Sequence, residues 1–156
     1  MVDVTDSPAL GDPRLGAIPH DVVRHGLVRS LEEAAEARGL SPSQLIKTMV
    51  VRRADDDYLF VLVPGDRVIS WPKLRAHLGV NRLSMPDAEE ARRVTGYERG
   101  TITPLGSERD LPVVADSRLS GAVSLGAGEH GLSLTIASTD LFDALDADLA
   151  DVTDPG

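Results

Sequence analysis

The chain has 156 residues, no cysteine, a formal net charge of −9 and only 3% aromatic residues. This length suits one domain with a buried core, and the lack of cysteine excludes a disulfide framework, a thiolate nucleophile and a cysteine zinc site. The acidic balance argues against a general nucleic-acid binder or DNA partner, because phosphate contacts come from lysine and arginine. With no long apolar run and no signal pattern, we expect a cytoplasmic protein without a membrane partner.

The first residues predict little packed structure. Met1 to Pro19 is interrupted by prolines and glycines and lacks apolar periodicity, so we expect a flexible arm at residues 1–19. We expect a single domain over 20–153 and a tail at 154–156. Val22, Val23 and Leu27 within His20 to Val28 predict a short edge strand.

Capping signals predict the next helices. Ser30 before Leu31 to Arg38, with Gly39 after it, predicts one helix, and Ser41-Pro42 starts a turn. A second helix is predicted after Ser70 and ends at Gly79. A third is predicted to start at Pro86 and to end before Gly96.

Apolar runs predict the strands. Lys47 to Arg53 and Tyr58 to Val63 predict a hairpin whose second strand is buried. Further predicted strands are Leu111 to Ala115, Ala122 to Leu125, and a half-exposed strand with alternating Leu132, Leu134 and Ile136. Ser138-Thr139 caps a last helix through about Leu145. The order of the elements predicts an α+β domain.

The segment from Thr95 to Gly106, TGYERGTITPLG, joins a helix to a strand. Its glycines, and a proline that restricts Thr103 before it, predict a loop of one fixed shape. Such a loop presents backbone N–H groups in fixed directions and can bind a carbonyl, an oxyanion or a ribose. The alternative is an ordinary tight connection whose glycines serve only as caps and turns.

Several ordered motifs carry a resemblance. They are Lys47-Thr48 opening an early strand, Gly100 to Pro104 after a helix, Asp116 closing the next strand, and the glycine-rich turn Gly126 to Gly131. In this order and spacing, from about His25 to Val152, the chain resembles the YbaK/prolyl-tRNA synthetase-associated (INS-like) aminoacyl-tRNA editing domain family. The resemblance implies a mixed, strongly curved β-sheet surrounded by short helices, with one concave site.

The resemblance also implies site residues. Lys47 takes the place of a functional lysine that holds the 3′-terminal nucleotide of the tRNA, with Thr48 beside it. The alternative for Lys47 is a lysine snorkelling from a sheet edge. The implied substrate-binding residues are Thr48, Gly100, Thr101, Pro104, Gly126, Gly128 and His130. Many family members have glycine at the position of Thr101, so its side chain alters the pocket and leaves the edited amino acid open.

Gly126 to Gly131 also spells the dinucleotide fingerprint G-x-G-x-x-G. That fingerprint needs a helix after it, whereas a strand is predicted here, so we interpret the segment as a turn between two strands. For His130, a solvated histidine on a turn is the alternative to substrate contact. No histidine or carboxylate spacing matches a metal site, and no nucleophile elbow is present, so we expect neither a metal nor a cofactor.

Two hypotheses follow. By resemblance, the chain is a free-standing trans-editing aminoacyl-tRNA deacylase that hydrolyses mischarged tRNA, with Cys- or Ala-tRNA(Pro) as substrate and prolyl-tRNA synthetase as a further partner. Its chemistry is substrate-assisted, and the attacking group is a water, the 2′-hydroxyl or a substrate thiol. The alternative is a non-catalytic module that binds aminoacyl-tRNA or a synthetase. Six basic residues are close together in the sequence: Lys47, Arg52, Arg53, Arg67, Lys73 and Arg75. They form either a positive surface that binds RNA under both hypotheses or an ordinary solvated surface.

Overall fold

The computed structural model describes residues 7–24, 33, 35–36 and 39–156. The strands in this part of the chain are β1 (His20–Arg24), β2 (Ile46–Ala54), β3 (Asp57–Pro64), β4 (Arg67–Ile69), β5 (Val113–Asp116), β6 (Ala122–Gly126), β7 (Leu132–Ala137), β8 (Asp148–Ala150) and β9 (Thr153–Pro155). The helices with described bounds are α1 (Trp71–Leu78), α2 (Ala88–Thr95) and α3 (Ser138–Leu145). Short 3-10 turns cover Pro13–Leu15 and Pro42–Gln44.

The strands form three sheets, with the orders β1-β7-β6, β2-β3-β5-β8 and β4-β9. The predicted α+β class is confirmed. The prediction of a strongly curved sheet, which the resemblance implied, is wrong. The described strands form these three separate sheets instead. In the four-stranded sheet β2 and β3 are antiparallel, whereas β5 runs parallel to β3 and β8 runs parallel to β5.

The predicted hairpin and its buried second strand are confirmed, since every residue of β3 after Asp57 is buried. The period of two along these strands separates two apolar clusters. One face, which includes Val50 and Phe60, packs against the three-stranded sheet and α3. The other face, which includes Val51 and Val61, packs on Leu74 of α1.

Local capping chemistry explains the helix boundaries. The Ser70 hydroxyl accepts a hydrogen bond from the Lys73 N–H, and the Asp87 carboxylate accepts one from the Glu90 N–H. Asp87 is therefore the cap of α2, which begins two residues later than predicted. α1 and α2 end at Gly79 and Gly96 as predicted.

The helix predicted from Leu31 to Arg38 falls mostly outside the described residues. Glu33, Ala35 and Glu36 are helical. Gly39 and Leu40 donate backbone hydrogen bonds to the carbonyls of Glu36 and Ala35, as at a helix end. Residues 25–28, at the end of the predicted first strand, also lie outside the described part.

Three predictions about exposure are corrected. The segment from Ser7 to Pro19 is packed and not loose, because Ala9 and Leu15 are buried in the first apolar cluster. The end of the chain is paired through β9, so residues 154–156 are not a free tail. β7 is not half-exposed at Ser133, which is fully buried and donates its hydroxyl to the Val23 carbonyl of β1 at 3.4 Å.

Asp116, at the end of β5, fastens the C-terminal segment. Its buried carboxylate accepts hydrogen bonds from the Thr153 hydroxyl at 2.8 Å and from the backbone N–H groups of Val152 and Arg118. Burial raises the pKa of Asp116, but these hydrogen bonds and the Arg118 guanidinium lower it more, so the pKa lies below its ordinary value. The charged form is therefore the one that holds β9 in place.

Leu15→Ala tests the packing of the N-terminal segment. Leu15 is 2% exposed, so its truncation leaves a cavity and should lower the free energy of unfolding by about 2–5 kcal/mol. Leu149→Ala, at a leucine that is 52% exposed, is the matched control and should change it little. Urea unfolding of both variants measures the difference. Equal small effects would support the prediction of a loosely packed arm.

Asp116→Asn tests the carboxylate. We expect a loss of about 1–3 kcal/mol in the free energy of unfolding at neutral pH, because a charged acceptor is removed from buried donors. Since the folded-state pKa is lowered, this stabilisation exists above the ordinary aspartate pKa and is lost as pH falls through the folded-state pKa. Wild type and variant should therefore converge at acidic pH.

Urea unfolding across an acidic pH series checks this convergence. Asp110→Asn, at a side chain that is 91% exposed, serves as the control. A pH-independent difference between wild type and Asp116→Asn would contradict the role of the charge.

Candidate functional site

A cavity of about 630 Å³ lies between β2, the start of α2 and the loop around Gly100. Its lining is mostly apolar, with a few polar groups, and its volume is within the range of small-ligand sites. The lining residues are Ile46, Lys47, Thr48, Met49, Val50, Met85, Pro86, Asp87, Ala88, Ala91, Arg99, Gly100, Ile102 and Gly126. Four of the predicted site residues therefore come together here: Lys47, Thr48, Gly100 and Gly126.

One wall of the cavity is the outer edge of β2. Arg52 exchanges both of its backbone hydrogen bonds with Ser84, on the side away from β3. Because backbone groups alternate sides along a strand, the N–H and C=O groups of Val50 and Thr48 point to this same outer edge. Among the described residues no backbone group pairs with them there. An open segment of strand edge thus faces the cavity.

The opposite wall is the predicted loop. The backbone N–H groups of Gly100 and Ile102 donate to no group in the described part of the chain. Gly100 has φ of +91°, a conformation that residues with a Cβ rarely adopt. Strand edge and loop thus each bring to the cavity lining backbone N–H groups that have no partner within the described ranges.

Thr48 and Lys47 project to different faces of β2. The Thr48 hydroxyl is buried and has no hydrogen-bond partner among the described residues. Lys47 is half-buried, and its ammonium donates to the Arg67 carbonyl of β4, on the side of the second apolar cluster. Burial lowers the pKa of Lys47, while nearby Asp66 acts in the opposite direction. The strand predicted from Lys47 to Arg53 already implies that these two neighbours point to opposite faces, whereas the contact with Arg67 of β4 has no local signal in the sequence.

The other predicted site residues lie behind or beside the cavity wall. The Thr101 backbone N–H and hydroxyl both donate to the Glu98 carbonyl, and the Thr101 carbonyl accepts from the Gly128 N–H. Pro104 is buried and its carbonyl accepts from Arg14 at 3.1 Å. His130 is exposed and lies 3.5 Å from Glu98. A Cβ at Gly100 would lie 3.5 Å from the His130 ring.

The N-terminal segment, which the sequence did not link to the site, supports the loop from behind. One oxygen of the Asp12 carboxylate accepts the Gly106 N–H at 2.8 Å, and Arg14 bridges Asp12 to the Pro104 carbonyl. A Cβ on Gly106 would lie 2.3 Å from the Pro8 carbonyl oxygen, so only glycine allows this approach. No local pattern signals such a contact across ninety residues of sequence.

Comparisons with known proteins show the family to which this chain belongs. Residues 25–144 match the model of the aminoacyl-tRNA editing domain. The chain belongs to the aminoacyl-tRNA editing domain family. The resemblance stated from its motifs is therefore confirmed.

Relatives of this editing domain include proline–tRNA ligases. The chain is 35% identical to that of Heliobacterium modesticaldum over 118 residues, which is 76% of this chain and 20% of the relative. It is 33% identical to that of Bacillus licheniformis over 103 residues, 66% of this chain and 18% of the relative. The editing domain thus spans about a fifth of these ligases.

A solved structure described as a candidate trans-editing enzyme for prolyl tRNA synthetase has the same fold. Its TM-score is 0.87 at 24% identity, and the match covers 99% of each chain. In the part of the present chain that the structure describes, no helix is long and apolar enough to cross a membrane. No three potential metal-ligating side chains come together there either.

Proposed function

We propose that this editing domain is a free-standing deacylase that hydrolyses the ester of mischarged tRNA, with Ala- or Cys-tRNA(Pro) as its substrate. The observation that carries the proposal is the cavity between the β2 edge and the Gly100 loop, with unpaired backbone donors on both sides. The relation to proline–tRNA ligases supports tRNA(Pro) as the carrier and prolyl-tRNA synthetase as a partner.

In this proposal the backbone performs the orientation. The N–H groups of Gly100 and Ile102 receive the ester carbonyl and stabilise the negative charge that develops on its oxygen. A single donor of this kind is worth roughly 10²–10³ in rate. The Thr48 hydroxyl and the outer edge of β2 hold the aminoacyl group and the terminal ribose.

The cavity lining among the described residues contains no histidine or serine. The hydroxyl in this lining, that of Thr48, has no hydrogen-bond partner among the described residues that could activate it as a nucleophile, so the attack is assigned to a water or to a group of the substrate itself. With water as the attacking group, its oxygen adds to the carbonyl carbon, the ester C–O bond breaks and the 3′-oxygen takes a proton. The products are a free amino acid and a tRNA with its 3′-hydroxyl restored.

Lys47 is proposed to hold the 3′-terminal nucleotide by its phosphate or ribose. Among the described residues its ammonium donates to the Arg67 carbonyl, on the far face of β2, while Lys47 itself belongs to the cavity lining, so contact with the substrate requires the side chain to leave this carbonyl at a cost of one hydrogen bond. Thr101, Pro104 and Gly128 shape the loop and turn from behind. His130 stands beside Gly100 as a contact for the incoming ester.

Lys47→Ala should slow deacylation on the order of 10²-fold without unfolding the protein, because misalignment at the reacting centre has that effect. Lys47→Arg should recover only part, since the planar guanidinium differs in shape. Single-turnover deacylation of Ala- and Cys-tRNA(Pro) measures both rates. Lys73→Ala, at an exposed lysine paired with Asp151, is the control and should retain full activity. Wild-type turnover by Lys47→Ala would remove Lys47 from the site.

Gly100→Val tests the loop. The β-branched side chain should cost about 1–2 kcal/mol of stability at this positive φ and obstruct the approach of the ester. Gly121→Val has a similar backbone penalty, at φ of +67°, with no atom within 4 Å of the added Cβ. We expect activity to be lost only in Gly100→Val, when both variants are assayed below their melting temperatures. Equal activities would leave Gly100 as an ordinary turn.

Deacylation across a panel of mischarged tRNAs tests the function as a whole. Turnover of Ala- or Cys-tRNA(Pro) supports the deacylase. Tight binding of aminoacyl-tRNA without turnover would support the non-catalytic module instead.

A further inference from the structure

An arginine-rich groove of about 590 Å³ adjoins the end of the cavity along β2. Its lining contains four arginines and a single carboxylate, on a chain whose net charge is −9. The lining residues are Arg52, Arg53, Ala54, Asp55, Arg75, Asn81, Arg82, Leu83 and Ser84. We call this surface the arginine groove. Its local charge is positive, whereas the net charge of the chain is negative.

The groove and the cavity share two walls. β2 lines the cavity up to Val50 and the groove from Arg52 onward, and the segment before α2 lines the groove at Ser84 and the cavity at Met85. The backbone pair between Arg52 and Ser84 forms the boundary between them. A chain molecule that ends in the cavity can therefore continue directly into the groove.

The arginines differ in how far they are neutralised. Arg52 lies within 3.9 Å of Glu90 and also donates to Asp55, and Arg53 pairs with Asp57 at 3.1 Å. Arg75 and Arg82 have no carboxylate partner within the described ranges. These two guanidinium groups are thus available for an external anion.

We infer that the arginine groove binds the backbone phosphates of the RNA strand whose 3′ end enters the cavity. This inference rests on the proposed function and adds to it the path of the substrate. From Thr48 to Arg52 is roughly 13 Å at about 3.3 Å per strand residue, a distance that a few nucleotides of RNA can span. The groove therefore meets the phosphates behind the 3′-terminal nucleotide.

The double variant Arg75→Gln/Arg82→Gln tests this path. Fluorescence anisotropy with labelled tRNA(Pro) should show affinity reduced on the order of tenfold at low salt. The slope of log affinity against log salt should fall by about 0.7–0.9 for each phosphate that the variant no longer neutralises. Arg92→Gln is the matched control, because exposed Arg92 faces a different depression lined by Asp87, Glu89, Glu90 and Glu108.

A second measurement separates the groove from the chemistry. Hydrolysis of 3′-alanyl-adenosine, which has no upstream phosphates, should be unchanged in the double variant, while KM for Ala-tRNA(Pro) rises and kcat is retained. Arg82→Gln alone, at an exposed side chain, should show the same trend at smaller size and keeps the test valid if the double variant unfolds.

The outcomes are distinguishable. If the wild type binds tRNA but hydrolyses no ester, the proposed function fails, whereas a weakened tRNA affinity of the double variant still supports the groove. Unchanged affinity and salt slope in both groove variants would overturn the inference, whatever the activity of the wild type. A reduction equal to that of Arg92→Gln would also overturn it, since only the net charge would then matter.

Discussion

The hydrogen bond between the Asp12 carboxylate and the Gly106 N–H holds the end of the Gly100 loop against the N-terminal segment. Arg14 extends this contact to the Pro104 carbonyl, and the Tyr97 hydroxyl donates to the Leu105 carbonyl at 2.7 Å. Burial, with a smaller effect of Asp12, raises the pKa of Tyr97 to about 12, so this hydroxyl stays a donor. These contacts fix three consecutive residues, Pro104 to Gly106, at the end of the loop. The backbone N–H groups of Gly100 and Ile102, earlier in the same loop, are therefore oriented before any ligand binds. Such preorganisation is what makes backbone donors effective in stabilising developing charge.

The cavity lies along β2, an edge strand that in the described part of the chain has backbone partners on its outer side only near its two ends. Ser84 pairs with Arg52 at one end, and Leu45 bridges to Ser124 at the other. Exposed strand edges otherwise invite pairing with other chains. Here the edge between the two bridges shares one cavity with the start of α2 and the Gly100 loop. The same edge gives the site its polar backbone groups within a mostly apolar lining.

The sequence predicts well those features that local chemistry determines. Ser70, Gly79 and Gly96 mark helix boundaries by capping, and the apolar run of β3 marks a buried strand. Contacts between distant segments were missed. β8 and β9 have three residues each, and Asp116 pairs with Ala150 of β8 and accepts the Thr153 hydroxyl of β9. Ala9 and Leu15 of the N-terminal segment are buried in an apolar cluster built from distant parts of the chain. For the site, motif order proposed Lys47 and Gly100, which the structure places in the lining of one cavity, but nothing in the sequence signals the contact between the Lys47 ammonium and the Arg67 carbonyl.

An acidic protein that binds RNA must separate its charges in space. Asp151 is paired with both Arg118 and Lys73, which lower its pKa to about 2, and Lys73 also contacts Asp154 at 3.4 Å. These carboxylates are thus partly neutralised within the protein, while Arg75 and Arg82 have no carboxylate partner among the residues that the structure describes. Salt screens the attraction between the groove arginines and a phosphate that lies more than a Debye length, about 8 Å, away, so only a strand bound in the groove is attracted by them. The excess acidic charge elsewhere on the protein weakens non-specific binding of RNA. For the proposed deacylase, this arrangement favours release of the tRNA once the ester, and with it the anchor in the cavity, is gone.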